Sequence, residues 1–80
     1  MYTVYVLKDK TNKLYKGFTN NIDRRFKEHK SGHTTTTSRM KDLEIVYKEC
    51  YDDFTTARKR ELYLKSAAGR RFLKTKIVPA

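Results

Sequence analysis

Tyr15 and Arg25 stand in the stretch Leu14 to His29, LYKGFTNNIDRRFKEH, and together their types suit one chemical task. A guanidinium binds two phosphate oxygens at once, and a phenol hydrogen-bonds to a water or to the diester itself. The stretch opens with apolar and aromatic residues, passes through Thr19, Asn20 and Asn21, and continues into Ile22, Phe26 and His29 at helical spacing. That pattern predicts a strand running into a capped helix. Tyr15 then lies near the end of the strand, and Arg25 about one and a half turns into the helix, beside the line of Ile22 and Phe26. Two rigid elements would carry the pair to one patch of surface. The residues alone also admit a plainer arrangement, with Tyr15 a sheet aromatic and Arg25 a solvated helix charge. Glu61 is the other residue out of pattern. It sits between Ala57 and Leu64 at helical spacing, so a carboxylate falls beside an apolar stripe. An acid so placed either pairs with a neighbouring Arg or Lys or binds a metal.

The elements that must position these residues follow from periodicity. Tyr2 to Lys8 reads as a strand, with Tyr2, Val4 and Val6 on one face and Thr3, Tyr5 and Leu7 on the other. Both faces are apolar, which predicts a central strand. Asp9 to Lys13 is turn material, and Leu14 to Phe18 is the second strand of a hairpin, so Tyr5 and Tyr15 fall in adjacent strands. Gly17 leaves out a side chain where another backbone or a phosphate would come close. Asn20 is the expected cap of the following helix, with Asp23 three residues on. That helix runs to about Lys30 and stops at a left-handed Gly32. His33 to Lys41 lacks periodicity and reads either as a strip of donors along a phosphate backbone or as a plain surface loop. Leu43 to Cys50 alternates as a third strand, with Leu43, Ile45 and Tyr47 on one face. Asp52 or Asp53 then caps a helix from Phe54 to about Lys65. Gly69 is an expected break, followed by a short basic helix or turn that Phe72 and Leu73 pin to the core, and the last residues from Ile77 are an expected frayed end.

Eighty residues predict a single domain, residues 1–80, with a modest core, since a chain near this size buries only about 60% of its unfolded surface. Lys and Arg number 19 against 9 Asp and Glu, a formal charge of +10. Such an excess points to a polyanion, nucleic acid by default, because neutralising phosphates releases counterions. An acidic membrane would call for a basic amphipathic helix with a broad apolar face, or a long apolar run, and neither occurs. Six Tyr and four Phe among 38% hydrophobic residues set the chain apart from a disordered basic tail. Cys50 is the single cysteine, so no internal disulfide or cysteine zinc site is available and no disulfide-linked partner is expected; it reads as a core thiol. The absence of a charged and apolar leader predicts a cytoplasmic location.

Strand, turn, strand, helix, strand, helix, with these residues in these places, resembles the GIY-YIG nuclease superfamily, and in particular its small stand-alone bacterial members. VYVLK at Val4 to Lys8 stands where the first motif sits, LYKGFT at Leu14 to Thr19 where the second sits, and NNIDRRFKEHKSG at Asn20 to Gly32 where the arginine helix sits. EIVYKE at Glu44 to Glu49 matches the third strand, and ARKRELYLKSAAGRRFLK at Ala57 to Lys74 the glutamate helix and basic tail. The resemblance implies an α+β fold, a small three-stranded antiparallel sheet flanked by helices in the order β-β-α-β-α with a short C-terminal helix.

It also implies metal-assisted hydrolysis of DNA phosphodiesters. Tyr5 and Tyr15 would be the two motif tyrosines, Arg25 the catalytic arginine and Glu61 the ligand of one Mg2+ or Mn2+ ion. Tyr15 would take the proton of the attacking water and Tyr5 would orient both. Relatives place a Tyr or His in the loop after the arginine helix; His33 is the nearest substitute, and His29 another candidate, although its alignment with Phe26 also suits packing. Lys16, Arg24, Lys27, Arg39, Lys41, Arg58, Lys65, Arg70 and Arg71 are the candidate contacts to DNA. A different class remains open: a DNA- or RNA-binding module on the same fold without turnover, or a basic protein of ribosomal RNA. With no second domain to read bases, weak sequence preference or structure selectivity is expected, and oligomeric state is open.

Overall fold

Tyr, Thr and Val residues build strand β1 (Tyr2–Lys8), and the chain continues through β2 (Leu14–Thr19), α1 (Ile22–Lys30), β3 (Glu44–Tyr51), α2 (Phe54–Lys65) and α3 (Ala67–Lys76). These elements come from a computed structural model that describes residues 1–31 and 42–77. The sheet is antiparallel in the order β2-β1-β3, so β1 is central as its two apolar faces predict. The α+β architecture is the expected one.

Val4 and Val6 pack against Ala57 and Leu64 of α2 and Leu73 of α3, all essentially inaccessible. Tyr5 and Leu7 alternate to the opposite face and are equally buried. Each such side chain contributes about 1.5–3 kcal/mol by leaving water. The strand that carries Tyr5 is therefore held from both sides. Its hairpin is fixed by Asp9, whose Oδ1 accepts from the Thr11 amide (2.9 Å), the Thr11 hydroxyl (2.7 Å) and the Lys13 amide (2.9 Å). Asn12 takes the left-handed conformation that closes the turn, φ 68°.

Several expectations are corrected. Asn21, not Asn20, caps α1: its side chain accepts from the Arg24 amide at 3.0 Å, while its own amide is held by the Thr19 hydroxyl at the strand end. Thr19 extends β2 by one residue, which moves the cap along. Ser31 ends the helix, and Gly32 lies outside the described residues. The α2 cap is Asp53. Strand β3 carries a bulge opposite Val6 and Leu7, so Tyr47 pairs with Val6 and Ile45 with Leu7. Cross-strand partners share a face, and the bulge thus sends Ile45 and Tyr47 to opposite faces. Cys50 is exposed, because it sits on an edge strand beside Thr3, away from the apolar cluster.

The break between the last two helices is at Ser66, not Gly69. Ser66 is extended (φ −78°, ψ 168°), ends α2, and caps α3 by accepting from the Gly69 amide at 3.2 Å. Gly69 is inside α3 for a steric reason: a Cβ there would stand 2.0 Å from the Tyr63 carbonyl oxygen and 2.5 Å from the Leu64 Cα. The glycine lets the two helices turn tightly enough for Leu64 and Leu73 to share one core.

Candidate active site

The β1–β2 register sets Tyr5 opposite Gly17 and Leu7 opposite Tyr15, so the two tyrosines are diagonal neighbours on one face. Their rings lie 6.3 Å apart, tilted by 39°. The Tyr5 phenol leans across Gly17, where a Cβ would meet its hydroxyl at 2.8 Å and its Cζ at 2.9 Å, with Tyr15 Cε1 at 3.2 Å. The space that Gly17 leaves open is taken by the end of the Tyr5 ring.

Helix α1 closes over this pair. The Arg25 guanidinium lies beside the phenols of Tyr5 and Tyr15, and its interaction with them, Tyr5 foremost, raises its already high pKa. An outer tether reaches Glu28, with Nη1 and Oε2 3.8 Å apart. One turn on, His29 is buried, its Nε2 2.9 Å from the Tyr5 hydroxyl and its ring 4.9 Å from that of Tyr15. Burial, assisted by the charge of Arg25, holds the His29 pKa below its ordinary 6.5. Burial likewise pushes the Tyr5 phenol up to about 12, against the opposing pull of Arg25. Tyr5 and His29 are therefore both neutral at pH 7, while Tyr15 is only half-buried and Arg25 stays charged. Two phenols on one cation, with a neutral imidazole behind, form a preorganised group of the kind that binds a phosphate.

A family model for the GIY-YIG catalytic domain matches residues 1–75. The chain belongs to the GIY-YIG family. Its relatives include a UPF0213 protein of Clostridium perfringens, 38% identical over 66 residues that cover 81% of this chain and 71% of that one. Another UPF0213 protein, of Staphylococcus haemolyticus, is 32% identical over 72 residues, covering 89% and 88%. The solution structure of a UPF0213 protein from Bacillus halodurans superposes with a TM-score of 0.58 at 28% identity, over 94% of this chain and 84% of that chain. Membership makes this a nuclease-type domain, a family that implies DNA binding and generally depends on a divalent metal. No described helix is long and apolar enough to cross a membrane.

Glu61 carries the question of the metal. The residue is 6% exposed, and its carboxylate pairs with Arg58 through one oxygen and with Lys65 through the other at 3.3 Å. It is felt weakly at Tyr5, whose phenol it helps to keep protonated. The described residues hold no cluster of three or more metal-ligating side chains. One hard carboxylate completed by water nevertheless suits Mg2+ or Mn2+, which bind through few protein oxygens. Arg58 and Lys65 are each about half exposed, at 48%, so both have room to swing away.

Among the other GIY-YIG candidates, Lys16 is half-buried on β2, and Arg24 is exposed and paired with Glu28 at 3.7 Å. Lys27, Arg70 and Arg71 are exposed as well. His33, Arg39 and Lys41 lie outside the described residues. The contact of His29 with both tyrosines exceeds the packing role that its spacing with Phe26 suggests. Its signal was one helical turn from Arg25, which necessarily faces the same sheet surface. Lys8 and Lys74 went unmarked, since nothing in their spacing sets them apart from other lysines.

Proposed function

We propose that this single domain is a metal-dependent endonuclease that hydrolyses DNA phosphodiesters with weak sequence preference, in the cytoplasm. The observation that carries the reading is the cluster of Tyr5, Tyr15 and His29, with His29 Nε2 2.9 Å from the Tyr5 hydroxyl and its ring against that of Tyr15, beside the charge of Arg25. A scissile phosphate would take the outer donors of Arg25, which neutralise charge as it builds on the phosphorane oxygens. Tyr15, the less buried phenol, would meet a water on that phosphate and, as phenolate favoured by the positive charge of Arg25 or the bound metal, would take its proton. Tyr5 keeps its own proton at neutral pH and, beside the charge of Arg25, would donate it to His29 Nε2 in the tautomer protonated at Nδ1. That chain fixes the Tyr5 oxygen, and with it the approach of Tyr15 and its water. Glu61 would hold one Mg2+ or Mn2+ ion, which supplies Lewis-acid charge at the phosphate when bound. Lys16, Arg24, Lys27, Arg39, Lys41, Arg58, Lys65, Arg70 and Arg71 would line the path of the backbone.

A second reading rests on one observation: Glu61 is satisfied by Arg58 and Lys65 without a metal. On that reading the domain binds DNA or RNA and does not cleave. The deciding experiment is cleavage of labelled single strand, duplex, flap and junction with Mg2+, with Mn2+ and with chelator, comparing the parent with Glu61→Ala. Metal-dependent products that fall by about 10²-fold or more in the variant, with DNA affinity retained, support the nuclease. Binding without products on any substrate supports the module.

A further inference from the structure

Across β2 from the tyrosines lies a cleft of about 440 Å3, within the range of small-molecule sites, about 300–1,000 Å3. It opens between the hairpin and α3, and strand alternation sends Lys16 into it while Tyr15 and Gly17 point the other way. Lys8, Lys16, Arg70 and Lys74 supply four positive charges, and Leu14 and Ile77 an accessible apolar wall, with buried Leu73 behind it. No described residue of the lining is acidic. Lys8 alone of the four has a described ion pair, with Glu44 at 3.5 Å. Lys16 is half-buried, and burial, Arg70 and Lys65 all work against its charge, so its pKa is lowered. Cations gathered against their own repulsion beside an apolar surface fit an anion that carries an apolar body. A bare phosphate would leave Leu14 and Ile77 unused, and an aliphatic ligand would leave the lysines unused.

We infer that this cleft seats one nucleotide of a single-stranded segment, with its phosphate on Lys16, Arg70 and Lys74 and its sugar and base against Leu14 and Ile77. The choice of ligand rests on the nucleic-acid reading above; the pocket itself does not depend on turnover. Because β2 is an edge strand, a chain with one phosphate at Arg25 has only to round that edge to bring a neighbouring nucleotide to Lys16. A single strand bends that sharply, whereas a duplex, with a persistence length of about 150 base pairs, does not. The cleft would therefore select substrates with an unpaired segment beside the reacting phosphate.

The test is binding in chelator, where nothing is cut, of a labelled single-stranded dodecamer and a blunt duplex, with the parent and the Lys16→Ala/Arg70→Ala variant. Loss of single-strand affinity by about tenfold or more, with duplex affinity changed less, supports the cleft. Equal losses on both, or none, overturn it. In parallel, amide spectra of the parent titrated with thymidine 5′-monophosphate should move at Leu14, Arg70 and Ile77. Equal movement with inorganic phosphate alone would reduce the cleft to a simple anion site and overturn the assignment, as would no movement with the nucleotide. A parent that binds single strands through these residues yet never cleaves would sink the nuclease and leave the cleft standing.

Discussion

At the scale of single residues, the site depends on an absence. Gly17 is the position of β2 where an added Cβ would strike Tyr5, itself 1% exposed. Gly17→Ala should destabilise the fold by about 1–3 kcal/mol, the usual cost of overpacking, and should lower any cleavage by more than its effect on folding. Chemical denaturation beside a cleavage assay checks this, and an Ala variant as stable and active as the parent would refute the packing. Sequence pattern marks Gly17 as a place of close approach, but the occupant of the gap depends on a hairpin register that no local signal specifies. His29 has a consequence of its own. Its folded pKa lies below the ordinary 6.5, so below pH 6.5 the unfolded chain binds the proton first and folding stability falls as pH drops toward the folded value. Above pH 6.5 both states are neutral and His29 adds no slope. His29→Gln should flatten the stability profile below about pH 6.5. An unchanged slope in the variant would assign that pH dependence to other groups.

Elements were legible where one local signal decides and obscure where two compete. The strands, the arginine helix and the helix capped by Asp53 follow from alternation, helical spacing and a short acceptor side chain. Placing the α1 cap required choosing between neighbouring asparagines of equal capping strength, and the outcome turned on Thr19 staying in β2. The β3 bulge has no signature in LEIVYKEC, since apolar residues occupy both faces. At α3 the usual meaning of glycine misled: Gly69 breaks nothing and instead permits contact. Its Cβ would overlap the backbone of Tyr63 and Leu64, which cannot rotate aside as a flexible side chain would. Gly69→Ala should therefore cost more than about 3 kcal/mol, well beyond the opposite, stabilising trend of Gly→Ala in an unobstructed helix. Thermal melting decides between them, and a variant that gains stability would show that the helices do not meet at that angle.

For the whole molecule, charge sets two requirements against each other. A formal +10 on 80 residues draws in a polyanion and at the same time strains the compact state by self-repulsion. Neighbouring cations already depress Lys16 in addition to its burial, which is that repulsion in local form. Salt screens both effects over about 10 Å at 0.1 M. Raising NaCl should therefore raise the melting temperature of the free protein while weakening DNA binding along a linear log–log slope of about −0.9 per phosphate contacted in duplex. For a domain of this size each kcal/mol of relieved repulsion is worth about 4–8 °C. A DNA complex should lose this gain, because the phosphates already neutralise the patch and salt then removes the ligand. Melting curves with and without DNA across a salt series make the comparison. If free protein and complex shift in the same direction, the excess charge is not what holds nucleic acid, and affinity must come from uncharged contacts in the tyrosine group or the cleft. Opposite shifts would mean that the basic surface carries affinity, leaving Tyr5, Tyr15, Arg25 and His29 to the chemistry.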